Sequence, residues 1–254
     1  MPFPPCRLVC LTEETVEALY LMGEEDRIVG VTGYAVRPAR VRREKPRVAA
    51  FTSANIDKIV ALKPDLVLAF SDLQADIAAA LGRAGVAVHL FNQRDIAGIF
   101  AMIRMLGALI GEPAKGDALA DALERRLAAI PPPAARPRVY FEEWDNPMIT
   151  GIGWVSELIE IAGGIDCFAH LRDRQAAKDR IIAPEDVIAA KPDVIVASWC
   201  GKKVAPQMIR ARPGWNTIPA VANDRIVEIK SPLILQPGPA ALTDGLDALI
   251  AAIR

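Results

Sequence analysis

The sequence lacks the runs and charge imbalances that mark several common classes of protein. No stretch approaches 18 consecutive apolar residues, so no segment is predicted to span a bilayer. Its 30 Lys and Arg against 31 Asp and Glu give a net charge of −1, which removes the overall electrostatic argument for nucleic acid or an anionic membrane as a partner. Residues 1–23 show no basic stretch followed by an apolar one, so no signal peptide is predicted.

Motifs of the common catalytic and metal-binding sites are also missing. No G-x-S-x-G nucleophile elbow and no Walker phosphate-binding sequence is present. The two histidines, His89 and His170, have no cluster of cysteine or carboxylate partners at metal-binding spacing, so we expect no metal site. No CxxC pair occurs, and ordinary thiols are expected at all four cysteines, which are Cys6, Cys10, Cys167 and Cys200.

Two further candidates for catalysis carry little weight. Glu142 and Glu143 are adjacent in a predicted strand, so their carboxylates point to opposite faces and cannot act as a pair. Gly151 and Gly153 precede a predicted helix, but Ser156 stands where the dinucleotide-binding fingerprint requires glycine. We therefore expect a protein that is not an enzyme. A nucleotide-dependent α/β enzyme that uses the turn at Gly151 is kept as an alternative.

One segment of the sequence occurs twice, about half a chain apart. Residues 59–69 read IVALKPDLVLA and residues 187–197 read VIAAKPDVIVA, so each position is identical or exchanges one apolar residue for another. In both copies an apolar helical turn stops at Lys-Pro, because proline cannot extend the helix and disfavours helix in the residue before it. Asp then opens an unbroken apolar run, which is typical of a strand buried on both faces in a parallel sheet.

Apolar periodicity predicts alternating strands and helices along the rest of the chain. We predict strands over 7–11, 27–31, 65–70, 86–91, 138–142, 193–198 and 225–229. We predict helices over 13–22 (with Thr12 as N-cap), 56–62, 73–84, 95–110, 113–130, 155–162, 184–190, 203–212 and 239–253, and a long basic loop over 32–47. The expected fold is α/β, with two Rossmann-like lobes of parallel-rich sheet at 1–112 and 134–254. One long helix and a proline-rich linker at 113–133 join them as a semi-rigid connector.

Aromatic residues make up only 6% of the sequence, so their positions carry information. Many of them follow the predicted strands or open the next helix, at Tyr34, Phe51, Phe70, Trp144, Trp154 and Trp199. Ligands of parallel α/β sheets bind beyond the carboxyl ends of the strands. These rings therefore predict an apolar, shape-reading cleft between the two lobes.

The stretch Asn55–Val67, which reads NIDKIVALKPDLV, resembles the N-lobe signature of the helical-backbone (class III) substrate-binding proteins of ABC importers. Residues 30–34, which read GVTGY, the pair Gly163-Gly164 and the second Lys-Pro-Asp at 191–193 are similar to the family as well. The similarity covers nearly the whole chain. It is closest to the branch that binds cobalamin, whose relatives also serve siderophores and haem.

The resemblance implies a non-catalytic protein that binds a corrinoid and delivers it to an ABC permease. By matching position, Tyr34, Phe51 and Phe70 are the ligand contacts of the N-lobe, although Phe51 and Phe70 stand where that branch commonly has larger rings. Trp199 and the loop that contains Leu235 and Gln236 are the candidates in the C-lobe. Trp144 and Trp154 are added to them because of their place after a C-lobe strand.

The resemblance also implies partners and a location. Family members dock on their permease through an acidic residue on each lobe; Asp57 lies near the first such position, and Lys202-Lys203 lies near the second. We expect a monomer that binds a large planar small molecule, without nucleic acid and without membrane insertion. The family resemblance predicts a periplasmic location, and a cytoplasmic location is the alternative that the missing signal peptide leaves.

A ferric-siderophore or haem-binding protein is the alternative with the same fold. The basic run at residues 37–47, with Arg37, Arg40, Arg42, Arg43, Lys45 and Arg47, would then contact carboxylates of the ligand.

Overall fold

The computed structural model describes residues 3–254, so residues 1 and 2, with which the predicted first lobe begins, lie outside it. The chain forms two compact units, one made of the residues up to Gln93 together with Ala97–Arg125, and the other of Arg94–Ile96 together with Arg126–Arg254. The lobe limits predicted from the sequence, at 112 and 134, stay predictions.

The first unit is built on a five-stranded sheet with the order β3-β2-β1-β4-β5, in which all neighbouring strands are parallel. Its strands are β1 (Leu8–Cys10), β2 (Ile28–Thr32), β3 (Arg47–Ala49), β4 (Leu66–Phe70) and β5 (Val88–Phe91). The helices along this part of the chain are α1 (Glu13–Leu21), α2 (Val41–Glu44), α3 (Ile56–Ala61), α4 (Ala75–Arg83), α5 (Ile96–Leu109) and α6 (Pro113–Ala128). One apolar core packs Val9 and Val67 of the central strands against Ile59 of α3 and Leu81 of α4.

The second unit is built on a sheet of five strands in which β10, β9, β6 and β7 lie in that order and β8 also pairs with β6. Its strands are β6 (Arg138–Asp145), β7 (Met148–Thr150), β8 (Ile165–Asp166), β9 (Val194–Ala197) and β10 (Ile226–Glu228). Its helices are α7 (Gly153–Ala162), α8 (Pro184–Ala190), α9 (Pro206–Arg210), α10 (Pro219–Ala222), α11 (Ser231–Ile234) and α12 (Leu246–Ile253). Every strand pair is parallel except β6 with β7. The core gathers Tyr140, Ile195, Trp199 and Trp215.

The repeated segment folds in the same way in both units. Lys63 and Lys191 both take the left-handed backbone conformation, with φ of 50° and 46°, directly before the proline. A lysine in this conformation is uncommon, and it turns the chain sharply from the helix (α3 or α8) into the following strand (β4 or β9). The Lys-Pro pair thus marks a sharp corner between helix and strand, where a simple helix stop was predicted.

The repeated aspartate fixes the start of the neighbouring strand. The backbone N–H of Asp65 donates to the carbonyl of Arg7 (2.8 Å), and its carboxylate accepts from the N–H of Arg7 (3.0 Å). In the second unit Asp193 makes both bonds to Arg138, each at 2.8 Å. Each aspartate therefore sets the register of two parallel strands, β1 with β4 and β6 with β9.

The residues between β2 and β3 are more ordered than the sequence predicted. The expected loop over 32–47 contains the short helix α2 and leads into β3, which pairs with β2 at the edge of the first sheet. The prediction of a simple loop was wrong because arginines dominate this stretch and obscure its few apolar residues, of which Val41, in α2, is fully buried.

The second unit departs from the prediction at several places, and the short helices α10 and α11 were not predicted at all. Strands β7 and β8 were missed, because two- and three-residue strands are too short to show periodicity. The helix expected over 203–212 is limited to Pro206–Arg210, since proline begins it. The closing helix expected over 239–253 begins with a π-helical turn, Ala241–Gly245, and only then becomes α12.

The predicted fold class is confirmed, with parallel-rich sheets in both units and the long helix predicted over 113–130 present as α6. Thr12 does stand at the N-cap of α1, although its hydroxyl donates to Glu14 and caps no backbone N–H. In the part of the chain that the structure describes, every helix is too short or too polar to cross a bilayer.

Candidate functional site

The ring-bearing residues of the first unit lie where its strands end. Tyr34 follows β2 and is 51% exposed, with its backbone N–H bonded to the Thr32 hydroxyl at 3.3 Å. Phe51 follows β3 and is half-buried, whereas Phe70 is the last residue of β4 and is buried. Because β2, β3 and β4 are parallel strands of one sheet, all three rings belong to its carboxyl edge.

Gln74, which sequence reasoning missed, links two of these ring-bearing segments. Its fully buried amide donates through Nε2 to the carbonyl of Phe51 (2.8 Å) and accepts through Oε1 from the N–H of Phe70 (3.0 Å). Nε2 also lies 3.3 Å from the Leu11 carbonyl at the end of β1. One side-chain amide thus links the backbone at the carboxyl ends of three strands. A single glutamine in a helical sequence pattern does not predict this role.

In the second unit, Trp199 follows β9, and its indole N–H is bonded to a buried network of charged and polar side chains. Its indole N–H donates to Glu142 (3.0 Å), whose carboxylate is fully buried in β6. Arg212 donates to both oxygens of that carboxylate, and the Tyr140 hydroxyl donates to it at 2.9 Å. Burial and the nearby Glu142 charge raise the pKa of Tyr140 well above its ordinary value, so this hydroxyl stays a donor. The network fixes the plane of the Trp199 ring.

Trp144 lies near the end of β6, beside Trp199. Its ring is partly buried, and its indole N–H donates to the carbonyl of Asn146 at 3.0 Å. The ammonium of Lys202 lies over both rings, 4.6 Å from the ring centroid of Trp199 and 5.5 Å from that of Trp144. It also contacts the carboxylate of Asp145 at 2.6 Å. We call these four residues, Trp144, Asp145, Trp199 and Lys202, the indole–lysine cluster.

Trp154 is placed differently from the other rings. It lies in the first turn of α7, is 3% exposed, and donates through its indole N–H to the carbonyl of Ile234 (2.9 Å). Ile234 is the last residue of α11, and the two other candidates, Leu235 and Gln236, follow it as half-buried residues. The structure therefore brings Trp154 to the backbone of the loop that carries Leu235 and Gln236. As ligand contacts, all eight ring and loop residues predicted from the sequence stay predictions.

The basic run at 37–47 is partly engaged in ion pairs. Arg37 pairs with Glu17 at 2.9 Å, and Arg40 pairs with Glu25 at 2.6 Å. Both guanidinium groups are thus paired with carboxylates of the first unit, and Arg37 is half-buried whereas Arg40 is exposed. Arg42, Arg43 and Arg47 are exposed and make no ion pair within residues 3–254. Among the arginines of the run, these three leave their charge available to a ligand or partner.

Asp57, predicted as a docking residue, lies exposed in the first turn of α3. Asn55 caps that helix, because its side chain accepts from the N–H of Lys58 at 2.8 Å. The ammonium of Lys58 in turn donates to the carbonyl of Arg47. The docking role of Asp57 stays a prediction.

The turn at Gly151 does not provide a nucleotide-binding loop. Gly151 follows β7, an antiparallel edge strand, whereas the dinucleotide fingerprint follows a parallel strand. At Gly153, a Cβ atom would lie 2.4 Å from the carbonyl oxygen of Arg94, so glycine is required for close packing. The N–H of Trp154 donates to that same carbonyl at 3.1 Å, in the position where a phosphate would bind the helix N-terminus.

A cavity of about 230 Å³ lies beside the start of α7 in the second unit. Its lining is dominated by charged side chains: Arg94, Asp95, Glu157, Arg172 and Asp173. Glu157 accepts from the N–H of Ile96 at 2.7 Å, and burial raises the pKa of its carboxyl. A space with this polar lining does not match a large apolar ligand.

Metal-ligating side chains do not converge in the described part of the chain, where no group of three or more His, Cys, Asp or Glu residues could hold a metal ion. Burial lowers the pKa of His89, which keeps this imidazole neutral within the first unit.

Comparison with known proteins identifies the class. Residues 8–233 match the periplasmic binding protein family, and the chain belongs to that family. The family consists of transport substrate-binding proteins, which are periplasmic or anchored as lipoproteins.

Three relatives show the range of the similarity. The uncharacterized ABC transporter substrate-binding lipoprotein YvrC of Bacillus subtilis is 26% identical, over 98% of this chain and 80% of its own length. A vitamin B12-binding protein of Vibrio cholerae is 28% identical, over 95% of this chain and 87% of its own. The periplasmic heme-binding protein RhuT of Roseiflexus sp. RS-1, in its apo form, superposes with a TM-score of 0.81 at 25% identity, covering 98% of this chain and 99% of that one.

Proposed function

We propose that this protein is the substrate-binding component of an ABC importer and that its ligand is a corrinoid, bound without covalent chemistry. The observation that carries the proposal is the position of aromatic rings at the carboxyl edge of the parallel strands in each unit. Tyr34 and Phe51 in the first unit, and Trp144 in the second, keep part of their ring surface accessible. The similarity to the Vibrio vitamin B12-binding protein supports the same ligand class.

The chemistry of such rings fits a large, flat and mostly apolar ligand. Burying about 400 Å² of apolar surface stabilises a complex by on the order of 10 kcal/mol before the losses of association are subtracted. Direct contact of a protein side chain with the ligand's metal is not required for this affinity. Delivery to a permease and a periplasmic location follow from the family and belong to the same proposal.

The direct experiment is to mix the purified chain with cyanocobalamin, hemin and a ferric siderophore in turn, and to follow absorbance during gel filtration. Each of these ligands has a visible band, so a band that co-elutes with protein identifies its ligand. Co-elution of the corrin band is the expected result. A chain that carries none of the three bands would refute the proposal.

Tyr34 gives the sharpest single-residue test, because it is the most exposed of the candidate rings. We expect Tyr34→Ala to weaken cyanocobalamin binding about tenfold or more, since a stacked ring contributes on the order of 1–2 kcal/mol beyond its surrounding contacts. Tyr34→Phe is the matched control, because it keeps the ring and removes only the hydroxyl. Calorimetric titration measures both, and equal affinity of the Ala and Phe variants would show that the ring does not contact the ligand.

Haem or a ferric siderophore is the second candidate, and one observation favours it. Arg42, Arg43 and Arg47 are exposed and outside any ion pair among the described residues, so they are available to ligand carboxylates. RhuT, named as heme-binding, is similar over nearly the whole chain. The double variant R42E/R43E should abolish hemin binding if this candidate is right and leave cyanocobalamin binding unchanged if the corrinoid is the ligand.

A further inference from the structure

The indole–lysine cluster is built by a tight turn at the end of β9. The N–H of Lys202 donates to the carbonyl of Trp199 at 3.1 Å, which closes a four-residue turn. Gly201, the third residue of that turn, has φ of +71°, a conformation that glycine adopts without strain. The turn folds Lys202 back so that its ammonium lies over the ring of the residue that begins it.

Several contacts hold this arrangement in place. The Trp199 ring cannot rotate freely, because its N–H is bonded to the buried Glu142 carboxylate. Lys202 is drawn to the ring faces of Trp144 and Trp199 and to the carboxylate of Asp145, whose side chain is only 9% exposed. Trp199 is itself only 2% exposed, with the core on one side and the Lys202 ammonium over its ring.

We infer that the Lys202 side chain covers the rings of Trp199 and Trp144, the surface on which a planar ligand would stack. Such a ligand has to displace Lys202 before it can bind to the two rings. This inference rests on the proposed function, since it concerns how the same ring-bearing edge receives its ligand. Lys202 lowers the affinity for flat ligands and favours those that can replace its contacts with the two rings. Asp145 retains the displaced ammonium as a partner during the exchange.

The first experiment compares Lys202→Ala with the wild-type chain in calorimetric titrations with cyanocobalamin and hemin. Lys203→Ala is the matched control, because Lys203 is the adjacent exposed lysine and makes no ion pair in residues 3–254. We expect Lys202→Ala to bind the preferred ligand about tenfold more tightly than the wild type. The affinity rises because the ligand no longer has to replace the cation–ring contacts and the ion pair of Lys202. Lys203→Ala should match the wild type. Unchanged or weaker binding by Lys202→Ala overturns the inference, and weaker binding would identify Lys202 as a ligand contact.

The second experiment needs no ligand. In protein labelled with 5-fluorotryptophan, the Trp199 resonance is assigned from its loss in Trp199→Phe. We expect Lys202→Ala to shift this resonance and to make it broaden on addition of a soluble nitroxide, while Lys203→Ala leaves it unchanged. A Trp199 signal that stays protected in Lys202→Ala overturns the inference. Failure of the wild-type chain to bind any probe would instead refute the proposed function, so the two failures are distinguishable.

Discussion

Glu14, in the first turn of α1, is a carboxyl group enclosed within the first unit. Its side chain is 1% exposed, one oxygen accepts from the Thr12 hydroxyl, and the other has no hydrogen-bond partner among residues 3–254. Burial raises the pKa of Glu14 to about 8, and the pKa of its neighbour Glu13 is raised by burial to about 7. The folded protein therefore holds protons that the unfolded chain releases near pH 4.5.

This difference predicts a stability that falls as the pH rises. The folded pKa of Glu14 lies above its unfolded value, so its contribution is fully present below about pH 4.5 and is lost as the pH rises through about 8. Glu14→Gln replaces the protonated acid by a neutral amide, and we expect it to stabilise the protein at pH 8 by on the order of 2 kcal/mol and to have little effect at pH 5.

Thermal unfolding of Glu14→Gln and wild type between pH 5 and 9 measures this effect. Asp76→Asn, at an exposed position of α4, serves as the control and should leave the pH profile unchanged. A wild-type protein whose melting temperature does not depend on pH over this range would contradict the prediction.

At the scale of elements, the π-helical turn Ala241–Gly245 explains the position of the loop that contains Leu235 and Gln236. A Cβ atom at Gly245 would lie 2.2 Å from the carbonyl oxygen of Leu233, so only glycine lets α11 approach this closely. The Trp154 indole fixes the next carbonyl, that of Ile234, by its hydrogen bond. Turns of this kind are frequent at functional sites, because they shift the side chains that follow.

We therefore predict that Gly245→Ala releases the segment 231–238 without unfolding the second sheet. The expected result is faster amide hydrogen exchange in that segment and a cost in unfolding free energy of about 2 kcal/mol, since backbone atoms have to move apart. Trp154→Phe, which removes only the indole donor, should give the same local exchange with a smaller loss, of about 1 kcal/mol. Equal exchange in all three proteins would show that neither contact orders the loop.

The sequence is most predictive where apolar runs are long, and least where single backbone contacts decide the structure. Strand β4 and helix α6 were predicted to within a few residues, because burial on both faces and strong helix propensity leave clear patterns. Strand β7 and the π-turn left none, since their geometry depends on tertiary contacts such as that of Gly245. The aromatic positions after the strands were predictable because the apolar runs show where each strand ends. The bonds of Gln74 and the turn at Lys202 depend on long-range or backbone geometry that no pattern encodes.

At the scale of the whole molecule, the near-neutral charge separates the two ligand candidates. The net charge of −1 provides no long-range field that would attract or repel a ligand, and the candidate rings are apolar. For a corrinoid held by ring contacts, we expect affinity to change less than about threefold between about 0.05 and 0.5 M salt, because screening acts only on charges.

Binding isotherms of cyanocobalamin and hemin across that salt range provide the measurement. A ligand held by the exposed arginines of the 37–47 run would instead lose affinity steadily as salt rises. Light scattering on the same samples tests the expected monomer. A steep salt dependence for the ligand that co-elutes with the chain would assign the binding energy to charge pairs and contradict the ring-based account.

The matching corners at Lys63-Pro64-Asp65 and Lys191-Pro192-Asp193 bear on how such a chain could arise. Each corner contains the two features that align its strands. The lysine reverses the backbone direction, and the aspartate carboxylate binds the backbone N–H of the neighbouring strand, at Arg7 or Arg138. A half-length ancestor with one copy would already have held the means to align a parallel pair. Duplication of one helix-to-strand unit would give two such corners at corresponding places of the two sheets.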